Sequence, residues 1–351
     1  MGPAFSCLRF SHPAYPAQLS RGSDLPAPPF QRKGGKGKLI SIMNTAAASL
    51  TKLTSSSRQQ AAFSDHSLLT PPQVGEHGLF RATVRTVSAP SPRLRRITLH
   101  SPAFATHQLS GPDEFFGLLM PQPGAPLHLP QHPGGENLRA AVAAIPEQIR
   151  PNLRWYTVRR FDPHEGELTF DIVTHGITQQ NLDTDEQVGP GLRWCLSAQA
   201  GSEVGIWTAQ GLWHRASSAQ TLIADPSALP SLRAILEYTA AFAPQQLQDM
   251  HVIAVAENSE DIEPKLLSEW QGRLGSLELL FSPATEFATH TARLLERIDY
   301  LEHPARLARY VWVAGEGQLC KEVRHHAIHT WGLDSESVQW CPYWFLGRAR
   351  P

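Results

Sequence analysis

The densest chemical signal in the sequence is Arg154-Trp155-Tyr156-Thr157-Val158-Arg159. Alternate residues of a strand share a face, so Arg154, Tyr156 and Val158 project together while Thr157 and Arg159 project oppositely. At a strand end, twist and the following turn bring both sets near one ligand. An aromatic ring beside an arginine suits a flat conjugated ligand that carries a phosphate: the ring covers its face and the guanidinium holds the phosphate as a fork. The same residue types also make an ordinary strand with an exposed cation–aromatic stripe, and the types alone leave both readings open. A second group follows: the run FDIVTHG at 170–176, with Asp171, Val173, His175 and Gly176, continues to GPGLRW at 189–194. There Gly189-Pro190-Gly191 can open a helix whose backbone N–H groups bind an anion such as a diphosphate. Taken singly, His175 reads as a strand-end histidine and Trp194 as a core residue. The third group is IADPSALPSLRAILE at 223–237, in which Asp225 can cap a helix and Pro226 can occupy its first position. Its first N–H groups then face the carboxyl edge of the preceding strand, where nucleotides bind in open α/β sheets. AGEG at 314–317 makes a second such turn, and either turn alone is equally a plain βα connection. Neither G-x-G-x-x-G nor a P-loop occurs.

The elements that must position these groups fall into two kinds. The chain has 351 residues, 41% hydrophobic and 18% charged, with 31 Lys+Arg against 32 Asp+Glu. That is an ordinary globular balance long enough for about two domains, and it points away from a nucleic-acid partner. The four cysteines, at 7, 195, 320 and 341, lie in no C-x-x-C or close Cys/His pair, which argues against an iron–sulfur cluster, a zinc site or a disulfide scaffold and fits reduced thiols in a cytoplasmic setting. No run of about 18 apolar residues suggests a membrane span. Segments 78–87, 93–101, 154–161 and 167–176 alternate β-branched and aromatic residues as strands, separated by Pro/Gly-rich turns and a long loop at 120–146. This is the pattern of a small antiparallel barrel. After residue 218 the period changes: short apolar runs at 221–224, 251–257, 277–281 and 310–315 each lead into a helix-length segment, which means βαβ units and a parallel sheet. The expected organisation is an extension at 1–75, a barrel at 76–217 and an α/β domain at 218–351.

In order and spacing the motifs R-x-Y-T-V-R, F-D-I-V-x-H-G, G-P-x-x-R-W, D-x-x-A-L-P-x-x-x-x-I-L-E, W-V-A-G-E and Tyr343-Trp344 with Gly347 resemble the siderophore-interacting proteins, flavin-dependent ferric-siderophore reductases of the ferredoxin-reductase-like group. The resemblance covers residues 77 to 349. It implies an antiparallel Greek-key FAD-binding barrel followed by a parallel-sheet NAD(P)H-binding domain. It also implies that Arg154, Tyr156, Thr157 and Arg159 hold FAD, with the tyrosine beside the isoalloxazine ring. Asp171, Val173, His175 and Gly176, with Gly189, Pro190 and Trp194, would receive the diphosphate and adenylate. Asp225, Ala228, Leu229 and Pro230, with Ala314, Gly315 and Glu316, would line the NAD(P)H side. Three departures stand out: an insertion at 177–188 between H-G and G-P, TAQG at 208–211 where the family shows a G-P-x-G turn, and Pro226 where an acidic residue is common.

The implied reaction passes electrons from NAD(P)H through FAD to a ferric siderophore and releases ferrous iron in the cytosol. It needs no general base, nucleophile or resident metal. A ferredoxin-linked or general flavin reductase of the same fold, and a flavin-free siderophore carrier, are the competing readings. Because ferric siderophores are often anionic, Arg95, Arg96, Lys321, Arg324, His325 and Arg348 are candidate substrate-side cations, against the plain reading of solvent-facing charge. Residues 1–75 carry eight Lys/Arg against two acids, net +6, leaving −7 for the remainder. Their Pro/Ser/Ala/Gly-rich composition reads as a disordered tail, or as an upstream extension with Met43 as a later start. A targeting peptide, a secretory signal with the lysines before it as n-region and LISIM at 39–43 as h-region, and a nucleic-acid arm are the functional alternatives.

Overall fold

The computed structural model describes residues 78–109, 111–131, 137–180, 182, 188–211 and 219–347. The expected N-terminal extension and Arg348 lie outside these. Seven strands come first: β1 (Leu79–Ser91), β2 (Leu94–His100), β3 (Glu114–Met120), β4 (Asn152–Thr157), β5 (Arg160–Asp162), β6 (Glu167–Val173) and β7 (Glu203–Gly211). They form one antiparallel sheet in the order β4-β3-β7-β1-β2-β6-β5. Its two outer strands are a single bent stretch of chain. The Val158 N–H still bonds to the Glu114 carbonyl beside β3, at 2.8 Å, whereas the Arg159 N–H bonds to the Thr169 carbonyl of β6, also at 2.8 Å. This change of partner closes the sheet into a barrel, removing the open edges that a flat sheet would present. The connections β2→β3 and β6→β7 skip neighbouring strands, giving Greek-key topology. Ile97, Leu99, Phe104, Phe116, Leu118 and Phe170 fill the interior, and each such burial stabilises the fold by roughly 1.5–3 kcal/mol.

Two short helices belong to this half. Within the long segment expected as a loop, Leu138–Ala143 forms α1, capped by the Asn137 side chain. Pro190–Ser197 forms α2, with Gly189 as N-cap and proline in the first turn as the Gly-Pro-Gly spacing predicts. Where TAQG replaces a turn, β7 simply continues, and Gly211 pairs with Glu114.

The second half is a parallel sheet of β8 (Gln220–Ala224), β9 (Met250–Ala256), β10 (Ser276–Phe281), β11 (Tyr310–Glu316) and β12 (Val338–Trp344), in the order β10-β9-β8-β11-β12. Helices α3 (Leu229–Phe242) and α4 (Leu266–Trp270) cover one face; α5 (Phe287–Tyr300) and α6 (Gly317–His329) cover the other. Chain order reverses between β8 and β11, which makes the carboxyl edge there the crevice where open α/β sheets take ligands. Among the described residues no helix is long and apolar enough to cross a membrane.

Several local expectations need correction. The stretch 154–161 is two strands rather than one, because barrel closure demands the bend. Strands β3 and β7 carry no clean alternation, since packing on both sides removes the polar face that the pattern needs, and the half-buried edge strand β12 carries none either. Helix α3 starts three residues later than Asp225 and Pro226 suggested: its N-cap is Ala228, and Pro230 is the proline in its first turn. The helix-length segment at 261–274 forms only five helical residues, with Lys265 in left-handed backbone at φ 72°.

Candidate functional site

Barrel and α/β domain meet across a cleft of about 440 Å³. From the barrel come Phe115 of β3, Trp155, Tyr156 and Thr157 of β4, and Ile172 and Val173 of β6. The α/β domain answers with Ser227 and Pro230 after β8 and with Cys341, Tyr343 and Trp344 of β12. Asp171, His175 and Arg139 complete the rim. A largely aromatic wall with a few convergent polar groups is the usual make-up of a cofactor cleft.

Tyr156 anchors the barrel wall. Its ring packs on Phe170 at 5.0 Å, and its hydroxyl lies where Gly191 lacks a side chain, since a Cβ there would stand 2.4 Å from the phenolic oxygen. The start of α2 is thereby held against the strand, and burial pushes the phenol's pKa well above its ordinary value. Arg154 is exposed beside it, donating to the Leu153 carbonyl at 2.7 Å. At the cleft floor, hydroxyls join the domains: Thr157 and Ser231 lie 2.9 Å apart, and Ser231 and Tyr343 2.8 Å.

Asp225 organises the opposite wall. Fully buried, it accepts from the Ser227 N–H and hydroxyl at 2.9 and 2.6 Å, the Glu316 N–H at 2.7 Å and the Trp344 indole N–H at 2.7 Å. Burial lifts its pKa, opposed by these donors. Gly315, at φ +136°, leaves the room: a Cβ there would stand 2.4 Å from the carboxyl carbon. One carboxylate therefore ties the ends of β8, β11 and β12 and fixes the Trp344 ring, which faces His175 of the barrel at 6.3 Å.

The cleft thus gathers Tyr156, Thr157, Asp171, Val173, His175 and Pro230 from the residues singled out in the sequence, with Arg154 and the Gly189-Pro190 turn beside it. Other candidates are placed elsewhere. The Arg159 guanidinium is buried and grips Glu237 through two bonds of 2.9 and 2.8 Å, with Glu263 at 3.3 Å. Arg96 forks onto Asp171 at 2.7 Å twice and reaches Glu263 at 2.8 Å, so the Asp171 carboxylate is engaged inside the protein. Glu263 also meets Arg233 at 3.3 Å. Although burial alone would raise it, the three guanidiniums hold its carboxyl pKa below the usual range. These charges pin the domains together. Asp225 is closed off from the cleft by burial, Ala228 and Leu229 sit in the α/β core, and Ala314 and Gly315 are buried in β11. Glu316 caps α6 through the N–H groups of Gln318 and Leu319 at 2.6 and 2.9 Å. Trp194 packs on the barrel core, Gly176 lies at φ +82° beside Arg93, and Arg95 lines no part of the cleft. Lys321 and Arg324 line a different groove.

Sequence reasoning missed Phe115, Arg139, Trp155, Ile172, Ser227 and Cys341. Phe115 is hidden in an apolar run and Arg139 in a segment taken for loop. Tyr343-Trp344 had a usable signal as an aromatic pair ending a strand.

The arrangement fits FAD: an aromatic wall for a flat ring, a helix start at which Gly189 and Gly191 carry no side chain, and strand ends from a second domain opposite. Comparison with known proteins agrees. The family profile for a siderophore-interacting FAD-binding domain matches residues 83–213, and that for siderophore-interacting protein matches 217–347. The mycobactin import ATP-binding/permease protein IrtA of Mycolicibacterium smegmatis is 22% identical over 77% of this chain, which spans only 26% of that protein. Ferric vibriobactin reductase ViuB of Vibrio cholerae is 26% identical over 60% of the chain and 71% of its own. A siderophore utilization protein from T. fusca has the same fold, at TM-score 0.59 and 22% identity, with 79% of this chain and 96% of that one covered. With the two profiles together spanning well over half of its length, the chain belongs to the siderophore-interacting protein family, and its barrel is an FAD-binding domain.

Proposed function

We propose that this protein is an FAD-dependent oxidoreductase that takes electrons from NAD(P)H and delivers them to ferric iron held in a siderophore, releasing ferrous iron in the cytosol. The observation that carries the reading is the cleft with walls from both domains: one wall can hold a flavin while the other presents a nucleotide to it. Tyr156 would lie beside the ring, with Arg154 and the N–H groups opening α2 toward the phosphates. Ile172 to Gly176 would run along its edge. From the α/β side, Ser227 and Pro230 would border the nicotinamide nucleotide, and Trp344, fixed by Asp225, would set how closely it approaches. Bound FAD supplies the link between a two-electron donor and a one-electron acceptor. Overall, NAD(P)H and two ferric chelates give NAD(P)+, a proton and two ferrous ions. Siderophores hold ferric iron with hard oxygen donors and hold the softer ferrous ion weakly, so reduction frees the metal. The chain's own work is to orient the partners and keep water from the buried hydroxyl floor of Thr157, Ser231 and Tyr343.

Anaerobic titration of the FAD-loaded protein with NADPH and then NADH should bleach the flavin absorbance. Adding a ferric siderophore with a ferrous trap should restore it and develop the trap's colour. Failure of both nucleotides to bleach the flavin removes the NAD(P)H step. Flavin that stays bleached on adding the chelate removes the acceptor.

A further inference from the structure

A second concave site lies between α6 and the edge strand β12, with a volume of about 520 Å³. Helix α6 contributes Lys321, Arg324, His325 and His329, and β12 contributes Trp340; none of these lines the aromatic cleft. Its lining carries a net positive charge, Lys321 and Arg324 against Glu322. Arg81, Arg85, Arg93, Arg96, Arg159 and Arg233 all have carboxylate partners. Lys321 and Arg324 form no ion pair among the described residues, and the one carboxylate lining the groove, Glu322, accepts from the Gln318 amide at 2.6 Å. The Arg324 Nε is buried with no hydrogen-bond partner, although an unsatisfied buried donor costs about 1–3 kcal/mol. Its guanidinium sits 5.5 Å from the centre of the Trp340 ring, and that indole remains 37% exposed.

An aromatic floor in a groove of net positive charge, Lys321 and Arg324 against Glu322, selects a ligand with a ring and a negative charge. We propose that this groove binds an aromatic carboxylate, with the carboxylate forked onto Arg324, Lys321 as second cation, and the ring against the exposed part of Trp340. A free phosphate would leave the indole uncovered. His325 and His329, one helical turn apart with ring centres separated by 4.4 Å, have the spacing of a divalent-metal pair. Lys321 and Arg324 would repel that cation and outnumber the one carboxylate, Glu322, so net charge decides for the anion. The inference is independent of the redox reading, because it concerns different residues.

Isothermal titration of the full-length, FAD-loaded protein with 2-naphthoate tests it. One saturable site is expected, weakening as salt rises. Binding should fall about tenfold or more in Arg324→Gln and in Trp340→Leu. Lys321→Gln, a change at an exposed side chain, should weaken it several-fold with the melting temperature unchanged. Uncharged 2-naphthamide and inorganic phosphate should both bind at least tenfold more weakly. Naphthoate affinity unaltered by Arg324→Gln and Lys321→Gln overturns the proposal. So does phosphate binding as tightly as naphthoate, or a groove that takes Zn2+ in a His325-dependent manner and no naphthoate.

Discussion

Gly191→Ala tests how the barrel wall of the cleft is built. The added methyl would stand 2.4 Å from the Tyr156 hydroxyl and 3.2 Å from the Arg154 Cγ. Ordinary contact needs roughly 3.5 Å, so the phenol must retreat by about 1 Å. It is braced against Phe170 at 5.0 Å, and overpacking of a braced side chain costs about 1–3 kcal/mol. Alanine's better helix propensity offsets only about 0.5 kcal/mol of this, because residue 191 lies in the first turn rather than the helix interior, leaving a net loss of about 0.5–2.5 kcal/mol. The same displacement moves the ring proposed to lie beside the flavin, and FAD affinity is expected to fall about tenfold, equivalent to ~1.4 kcal/mol. Urea midpoints of the apoprotein and flavin-fluorescence titration read the two effects separately. Tyr156→Phe removes the clashing oxygen, so the double variant should recover most of the stability that Gly191→Ala loses, a coupling of about 1 kcal/mol or more. Wild-type stability and FAD affinity in Gly191→Ala, or strictly additive losses in the cycle, would refute the packing argument.

Three further outcomes are expected. Glu263→Leu leaves Arg96, Arg159 and Arg233 short of a shared buried carboxylate and should destabilise the protein by about 3–5 kcal/mol in chemical denaturation; a loss under 1 kcal/mol would mean that the network does not pin the domains. His251, whose pKa burial and the neighbouring His303 push down to about 4, binds its proton more readily when unfolded. Stability should therefore fall as pH drops from about 6.5 toward 4, by up to ~3 kcal/mol, and His251→Gln should flatten that slope; equal slopes for the two proteins would contradict the assignment. Trp344→Phe keeps a ring but gives up the 2.7 Å bond to Asp225. KM for NAD(P)H should rise about tenfold, with a changed flavin circular-dichroism band reporting the altered wall, and an unchanged band with unchanged KM would remove Trp344 from the site.

The sequence by itself determined the division into barrel and α/β halves, because hydrophobic period is a local property: two-residue alternation in the first half and short apolar runs followed by helices in the second. It also determined the family, through motif order, and the helix opened by Gly189-Pro190. Tertiary structure alone decided which side chains reach the cleft. Arg159 and Tyr156 lie three residues apart, yet the bend that closes the barrel sends one into an ion network between domains and the other to the cleft wall. Asp225 has the right type and place for a ligand contact, but the chain returning through Gly315 and Trp344 surrounds it and makes it a buried anchor. Strand β12 contributes Cys341, Tyr343 and Trp344, three of the five residues of the α/β wall, and only its parallel pairing with β11 brings them opposite Tyr156. Such placements depend on contacts between residues far apart in the chain, and no local pattern records them.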